Sequence, residues 1–440
     1  VNILVAIALN LSILLALSIW LRRQMHMVGL GKLVLPLLAL KLVACWLSVR
    51  WFLSGDAQYF LEWAGLLTQQ LRAAPKAWLH TAVSETFRYR GSSLLFHGFS
   101  NTFFFIKILS LLNLASLGNA LLNGVYLSLF SFIGFWKLVR VLQQAFSSVA
   151  ALAGAISFLV WPTTVYWTSG ITKESLLVGS GAWLTAIVLG WLYAGKRPRV
   201  LTVVGLLVLT ALHFKMRFFF AVVLLGALVG VTLNRIVQRM GLGPARGLQL
   251  VLFAGLMLLG TWTASEISPV FRFNKFTSQL IRNYSDLLAV SHYRPHIEYD
   301  DLAPTWQSIA WNAPKAVFST LARPLPWEEM RGVYVWAGLE NLFLLALVAI
   351  ALGALPRQRA GVLPFALVLA LVFYSFVLAV LLGLSTPNLG TLNRYRVAML
   401  PYLVLLLLQN EYVARWLRRL LPSTSHDIKE PSLGARRLGV

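Results

Sequence analysis

The sequence predicts an all-α polytopic membrane protein, and three observations carry that reading. Hydrophobic residues make up 58% of the 440-residue chain and charged residues only 12%, with a mean hydropathy of +0.73. A soluble domain has no means of hiding so much apolar surface. Apolar runs of about 20 residues, each long enough to cross about 30 Å of hydrocarbon, recur along the whole length. Lys and Arg collect in the short stretches between these runs, as orientation signals do.

Taken in order, eleven spans are expected, at 1–21, 33–53, 119–139, 147–166, 174–195, 199–214, 217–235, 247–267, 334–354, 361–384 and 396–413. The first run lacks a basic leader and a small-residue cleavage site, so it reads as a span and not as a signal peptide. The run at 103–117, FFFIKILSLLNLASL, is short, holds Lys107 and ends at Gly118. It reads as an interfacial helix lying flat, with Lys107 and Asn113 toward headgroups.

The positive-inside rule favours this layout. With 103–117 flat, one side receives Arg22 and Arg23, Lys137 and Arg140, KRPR at 196–199, Arg235 and Arg239, PRQR at 356–359, and Arg415, Arg418 and Arg419. A crossing at 103–117 would scatter these over both sides. The expectation is therefore one transmembrane domain over 1–421 with large outer loops at 54–118 and 268–332. A disordered cytoplasmic tail follows at 422–440. Formal net charge is +23. Because the cations border apolar runs, they point to membrane lipids and not to nucleic acid. The lone Cys45 excludes an intrachain disulfide and a cysteine-based metal site.

Nearly all acidic residues fall on the outer side, together with cations that oppose the positive-inside trend. Asp56, in SGDAQYFLEWA, follows the second span. It suits a general base at the interface or, structurally, a helix cap. Glu62 reads as a solvated face residue. Lys173 and Glu174, in YWTSGITKES, follow Thr172, a natural N-cap. Glu174 complements the helix dipole there and Lys173 opposes it. Lys215 and Arg217 flank Met216 in a tight turn. Arg323 lies in RPLPWEE, and Arg394 and Arg396 in NRYR precede the last span. Such a gathering of cations suits phosphate or pyrophosphate held at the membrane surface. His292 and His296, with Glu298, Asp300 and Asp301 after them, have a metal-like spacing interrupted by Pro295, so a divalent metal is not indicated. Lys41 sits mid-span and requires a partner or a cavity. No P-loop, nucleophile elbow or internal repeat is present.

This arrangement resembles the GT-C superfamily of polyprenyl-phosphate-dependent glycosyltransferases over roughly 51–413. The likeness lies in an acidic residue early in the first outer loop, the WTSGITKES turn, arginine-bearing outer turns and the closing NRYRVAMLPYLVLLL. YWTSGITKE, RPLPWEE and GLENLFLL look like phrases from membrane proteins of bacterial polysaccharide gene clusters. The resemblance implies a GT-C-like fold and sugar transfer from a polyprenyl-phosphate-linked donor to a glycan or lipid acceptor, at the outer face of a bacterial inner membrane. It implies Asp56 and Glu174 as the catalytic carboxylates, with Arg394 or Arg396 on the donor phosphate. The sequence departs from the family in lacking a paired acidic motif in the first loop and a soluble C-terminal domain. Two alternatives stand beside it: a lipid-linked oligosaccharide polymerase or O-antigen ligase relying on outer arginines, and a non-enzymatic lipid-glycan transporter.

Overall fold

Short polar side chains start the helices on which the site depends, and prolines interrupt those of the bundle. The computed structural model describes residues 2–26, 29–96, 100–241, 245–267, 269, 272–291, 293–359 and 361–421. The chain opens with α1 (Asn2–Met25) and α2 (Val34–Arg50). The first long polar segment folds as α3 (Gly55–Ala73), α4 (Pro75–Val83), a hairpin of β1 (Thr86–Tyr89) and β2 (Ser92–Leu95), and α5 (Asn101–Ser116). Next come α6 (Ala120–Ala145), α7 (Ser148–Ala155, extended by a π-helical turn at Ile156–Val160), α8 (Pro162–Trp167) and α9 (Lys173–Leu192). They lead into α10 (Val200–Met216), α11 (Phe218–Arg239) and α12 (Arg246–Ile267). The second long segment carries α13 (Phe273–Ala289) and α14 (Trp306–Ala322). The described part ends with α15 (Gly332–Ala354), α16 (Phe365–Ser385), α17 (Leu389–Tyr395), α18 (Leu400–Leu407) and α19 (Glu411–Leu420).

This is a multi-pass membrane protein, nearly all α. Among the described residues the hairpin is the one sheet, pairing Phe87 with Leu94. Its turn places Arg90 at φ 50° and Gly91 at φ 78°, the left-handed pair that a two-residue hairpin loop requires. Eight described helices are long and apolar enough to cross a membrane. Three of the eleven expected spans differ. The run at 147–166 breaks between Val160 and Pro162, because proline clashes with a preceding helical turn. The run at 396–413 divides into a 3-10 turn at Arg396–Ala398, α18 and α19, with Pro401 at the start of α18. Helix α10 is continuous but has 17 residues, about 25 Å of rise.

The core sits on α6 and α9. Of their apolar stretches 67% and 83% of residues are buried, against 6% for α1 and α12, which therefore form the rim. Glycine lets α6 and α9 approach closely: a Cβ at Gly134 would lie 2.1 Å from the Trp183 ring and 2.8 Å from the Gly179 carbonyl. Both helices run the same way, since Gly124 lies against Gly170, before α9, and Gly134 against Gly179 within it.

Helix α5 corrects one expectation. Its first residue, Asn101, donates to the Met216 carbonyl at the end of α10, and its far end reaches Asn10 of α1 through the Ala115 carbonyl. Yet Lys107 and Asn113 do not face outward. They are 8% and 2% exposed, because α3 packs over α5. Lys107 Nζ donates to the Ser84 carbonyl at 2.6 Å and lies 4.1 Å from the Phe103 ring centre. Asn113 bridges Thr68 and Asn123.

The basic loop after α9 and the polar segment before α14 should lie on opposite sides of the membrane. Tyr293 is fully exposed and Arg197 lies on the surface, whereas the native Cys45 is buried. In intact cells, a membrane-impermeant thiol reagent is expected to modify Tyr293→Cys and spare Arg197→Cys in a Cys45→Ser background. The reverse labelling would overturn the orientation of the site.

Candidate functional site

Two helices begin with a carboxylate in their first turn, and both carboxylates meet one arginine. In α3 the N-cap is Ser54, whose Oγ accepts from the Ala57 amide at 3.2 Å. Asp56 is therefore not the cap, and its side chain is 61% exposed. In α9 the cap is Thr172, accepting from the Ser175 amide. Glu174 follows in the first turn with its side chain only 3% exposed. Positive helix ends favour a carboxylate at each position.

Arg394, near the end of α17, joins them. Its Nε and Nη2 donate to the two Glu174 oxygens at 2.8 and 3.1 Å, and its Nη1 donates to Asp56 Oδ2 at 2.7 Å. The partners lie 220 and 338 residues away along the chain. Burial opposes the charge of Arg394, but the charge and hydrogen bonds of Glu174, with the bond to Asp56, more than compensate. Its pKa is raised above the ordinary arginine value. The guanidinium also lies 5.6 Å from the Trp167 ring centre.

Further cations border this group. Lys173, at the first position of α9, donates to Asn101 Oδ1 at 3.1 Å and Thr102 Oγ1 at 2.7 Å, against the Phe60 ring. It lies within Coulombic reach of Asp56, Glu174, Arg217 and Arg394. Arg217, between α10 and α11, stacks on Tyr395 at 3.7 Å from ring centre to guanidinium carbon. Lys215 precedes it at the end of α10 and interacts electrostatically with Lys107. A groove of about 310 Å³ starts from Arg217 and Tyr395 and runs between α13 and the end of α16.

Other sequence-predicted residues stand apart. Arg396 starts the 3-10 turn after α17, is 1% exposed, and donates to the Thr320 carbonyl of α14 at 3.3 Å. Two residues along a helix turn a side chain by about 200°, which separates it from Arg394. Arg323 ends α14 and pairs through Nε with Glu328 at 2.8 and 3.0 Å. With Arg294, His296 and Lys315 it lines a second cavity, of about 510 Å³. His296 there is hydrogen-bonded to the Arg294 carbonyl and Glu298, which raise its pKa. His292 and the 422–440 tail lie outside the described residues. Among the described residues no group of three His, Cys, Asp or Glu side chains is placed to hold a metal. Lys41 donates to Thr168 Oγ1 at 2.5 Å and lies 5.3 Å from the Phe135 ring centre.

Several positioning residues escaped sequence reasoning. Asn388 caps α17 by accepting from the Thr391 amide and also donates to Ser291 Oγ at 3.2 Å. The backbone adds Ile297 N–H to the Pro387 carbonyl and Leu389 N–H to the Pro295 carbonyl. The HYRPHIEYDD loop thus pins the helix that bears Arg394. Asn101 likewise ties Lys173 to the end of α10. An Asn before an apolar helix signals a cap, but its long-range partner leaves no mark in sequence. Comparison with models of known protein families, with curated proteins and with solved structures finds no match to this chain.

Proposed function

We propose that the chain is a membrane glycosyltransferase of GT-C type, moving a sugar from a polyprenyl-phosphate-linked donor to a glycan or lipid acceptor at the extracytoplasmic face of a bacterial inner membrane. The observation that carries this reading is the convergence of Asp56, Glu174 and Arg394 beside Lys173 and Arg217 at the start of α9. Exposed Asp56 accepts the proton of an incoming acceptor hydroxyl as that oxygen attacks the anomeric carbon. The bond from that carbon to the phosphate oxygen breaks, and the lipid phosphate leaves with the negative charge. Buried Glu174 fixes Arg394, and Arg394 fixes one oxygen of Asp56, leaving the other for the acceptor.

Arg394 already gives its donors to carboxylates, so the phosphate falls to Lys173, Arg217 and Lys215. Their charge stabilises the anion that develops as the sugar departs. Lys173, Arg217 and Arg394 against two carboxylates leave the group net positive, as an anionic leaving group requires. No metal enters this scheme. A second reading, a lipid-linked oligosaccharide polymerase or ligase, draws on one observation: Arg294, His296, Lys315 and Arg323 line a cavity of their own.

The phosphate role is testable by binding alone. In purified protein, Lys173→Gln and Arg217→Lys are each expected to weaken binding of a polyprenyl-phosphate sugar by roughly 10–100-fold, the worth of one charge-assisted hydrogen bond or planar fork. Arg323→Lys should bind as wild type does. Unchanged binding in both site variants, with loss in Arg323→Lys, would transfer the site to the second cavity.

A further inference from the structure

At the opposite end of α6 from the carboxylate cluster lies a small cavity, about 260 Å³ in volume, that the proposed reaction does not use. Lys137 and Arg140 of α6 and Lys196 of the basic loop supply its charge, and Trp20, Trp136 and Trp183 supply its walls. Among the described residues no carboxylate lines it. Two of the rings are fixed by hydrogen bonds: Trp136 Nε1–H donates at 3.2 Å to Oε1 of Gln24, which also lines the cavity, and Trp183 Nε1–H to the Phe130 carbonyl at 3.3 Å. Lys137 Nζ lies 4.5 Å from the Trp183 ring centre.

The positive-inside tendency explains why cations occupy this end of the bundle. It does not explain why three of them line one cavity, where each raises the energy of the others. Burial lowers the Lys196 pKa, and the charge of Arg140 lowers it further. Nor does it explain why Arg140, whose buried Nε has no hydrogen-bond partner among the described residues, brings its charge to this cavity. Such a donor normally costs its full desolvation penalty. A tetrahedral anion would neutralise the guanidinium and the two ammonium groups that line the cavity, within a space that a phosphate group fits.

We infer that this cavity binds a phosphate group, presented either by a phospholipid headgroup or by a soluble phosphate compound. The indole walls would flank the ester-bearing side of the group. The site stands independently of the glycosyltransferase reading, since no residue is shared with it.

Native mass spectrometry of the full chain in detergent provides the test, with phosphatidic acid and inorganic pyrophosphate as separate probes. The triple variant Lys137→Gln/Arg140→Gln/Lys196→Gln is compared with Arg418→Gln/Arg419→Gln, which removes charge from the exposed α19. Retention of one probe is expected to fall about tenfold or more in the triple variant and to persist in the α19 variant. Loss of phosphatidic acid identifies a lipid source and loss of pyrophosphate a soluble one. Without either probe the triple variant should melt no lower than wild type, because like charges have been removed. Equal retention of both probes in the two variants would overturn the inference, as would a triple variant that unfolds or melts lower. Arg140→Lys, which keeps the charge and loses the fork, should weaken the same probe severalfold in a folded protein.

Discussion

Replacing Arg394 with glutamine is expected to destabilise the protein by about 3–5 kcal/mol, the cost of leaving a buried charge without its partner. The side chain of Glu174 is 3% exposed, and both of its oxygens accept from Arg394. With the guanidinium gone, the start of α9 offers partial compensation and water offers little. The loss should be largely recovered in Glu174→Gln/Arg394→Gln, because two neutral amides can pair where one carboxylate cannot stand alone. Thermal unfolding in detergent, followed for the two single variants and the double, closes the cycle. An Arg394→Gln protein as stable as wild type would mean that the three-way contact contributes nothing.

The second large effect concerns chemistry. Asp56→Asn should lower sugar transfer by about 10²–10⁴-fold, because the amide keeps an oxygen for Arg394 but no longer takes a proton. Its stability should stay close to wild type, since Ser54 and not Asp56 caps α3. Ser54→Ala gives the complement: a loss of about 1 kcal/mol of stability, with turnover retained once the protein is folded. Near-normal transfer by Asp56→Asn would remove the general base from this cluster and favour the arginine-lined cavity at Arg323.

Membrane character was legible in the sequence because composition and run length alone decide it. The N-cap at Thr172 was legible too, since hydroxyl caps act on amides three residues away. What the sequence withheld was partnership across long separations. Asp56, Glu174 and Arg394 each stood out singly, as charges at helix ends near the interface, but nothing local says that one arginine holds both carboxylates. In the sequence Arg394 stands among the outer cations as a phosphate ligand, because its two carboxylate partners lie 220 and 338 residues away. Helix α5 shows a second limit. An apolar helix that holds Lys107 and Asn113 has the same composition whether it lies on lipid or beneath α3. The distinction comes from the Ser84 carbonyl, which meets Lys107 from a different part of the segment. Span boundaries meet a third limit: hydropathy sees the apolar run at 396–413 and does not see that Pro401 and the 3-10 turn divide it.

The most direct test of the glycosyl-transfer claim is a product balance in proteoliposomes containing the purified full chain, a polyprenyl-phosphate-linked sugar and candidate glycan acceptors. The account predicts that wild-type protein releases one polyprenyl phosphate for each sugar joined to acceptor, and that Asp56→Asn abolishes both in step while still binding donor. Release of a lipid pyrophosphate with transfer of a whole oligosaccharide, undiminished in Asp56→Asn, would contradict it.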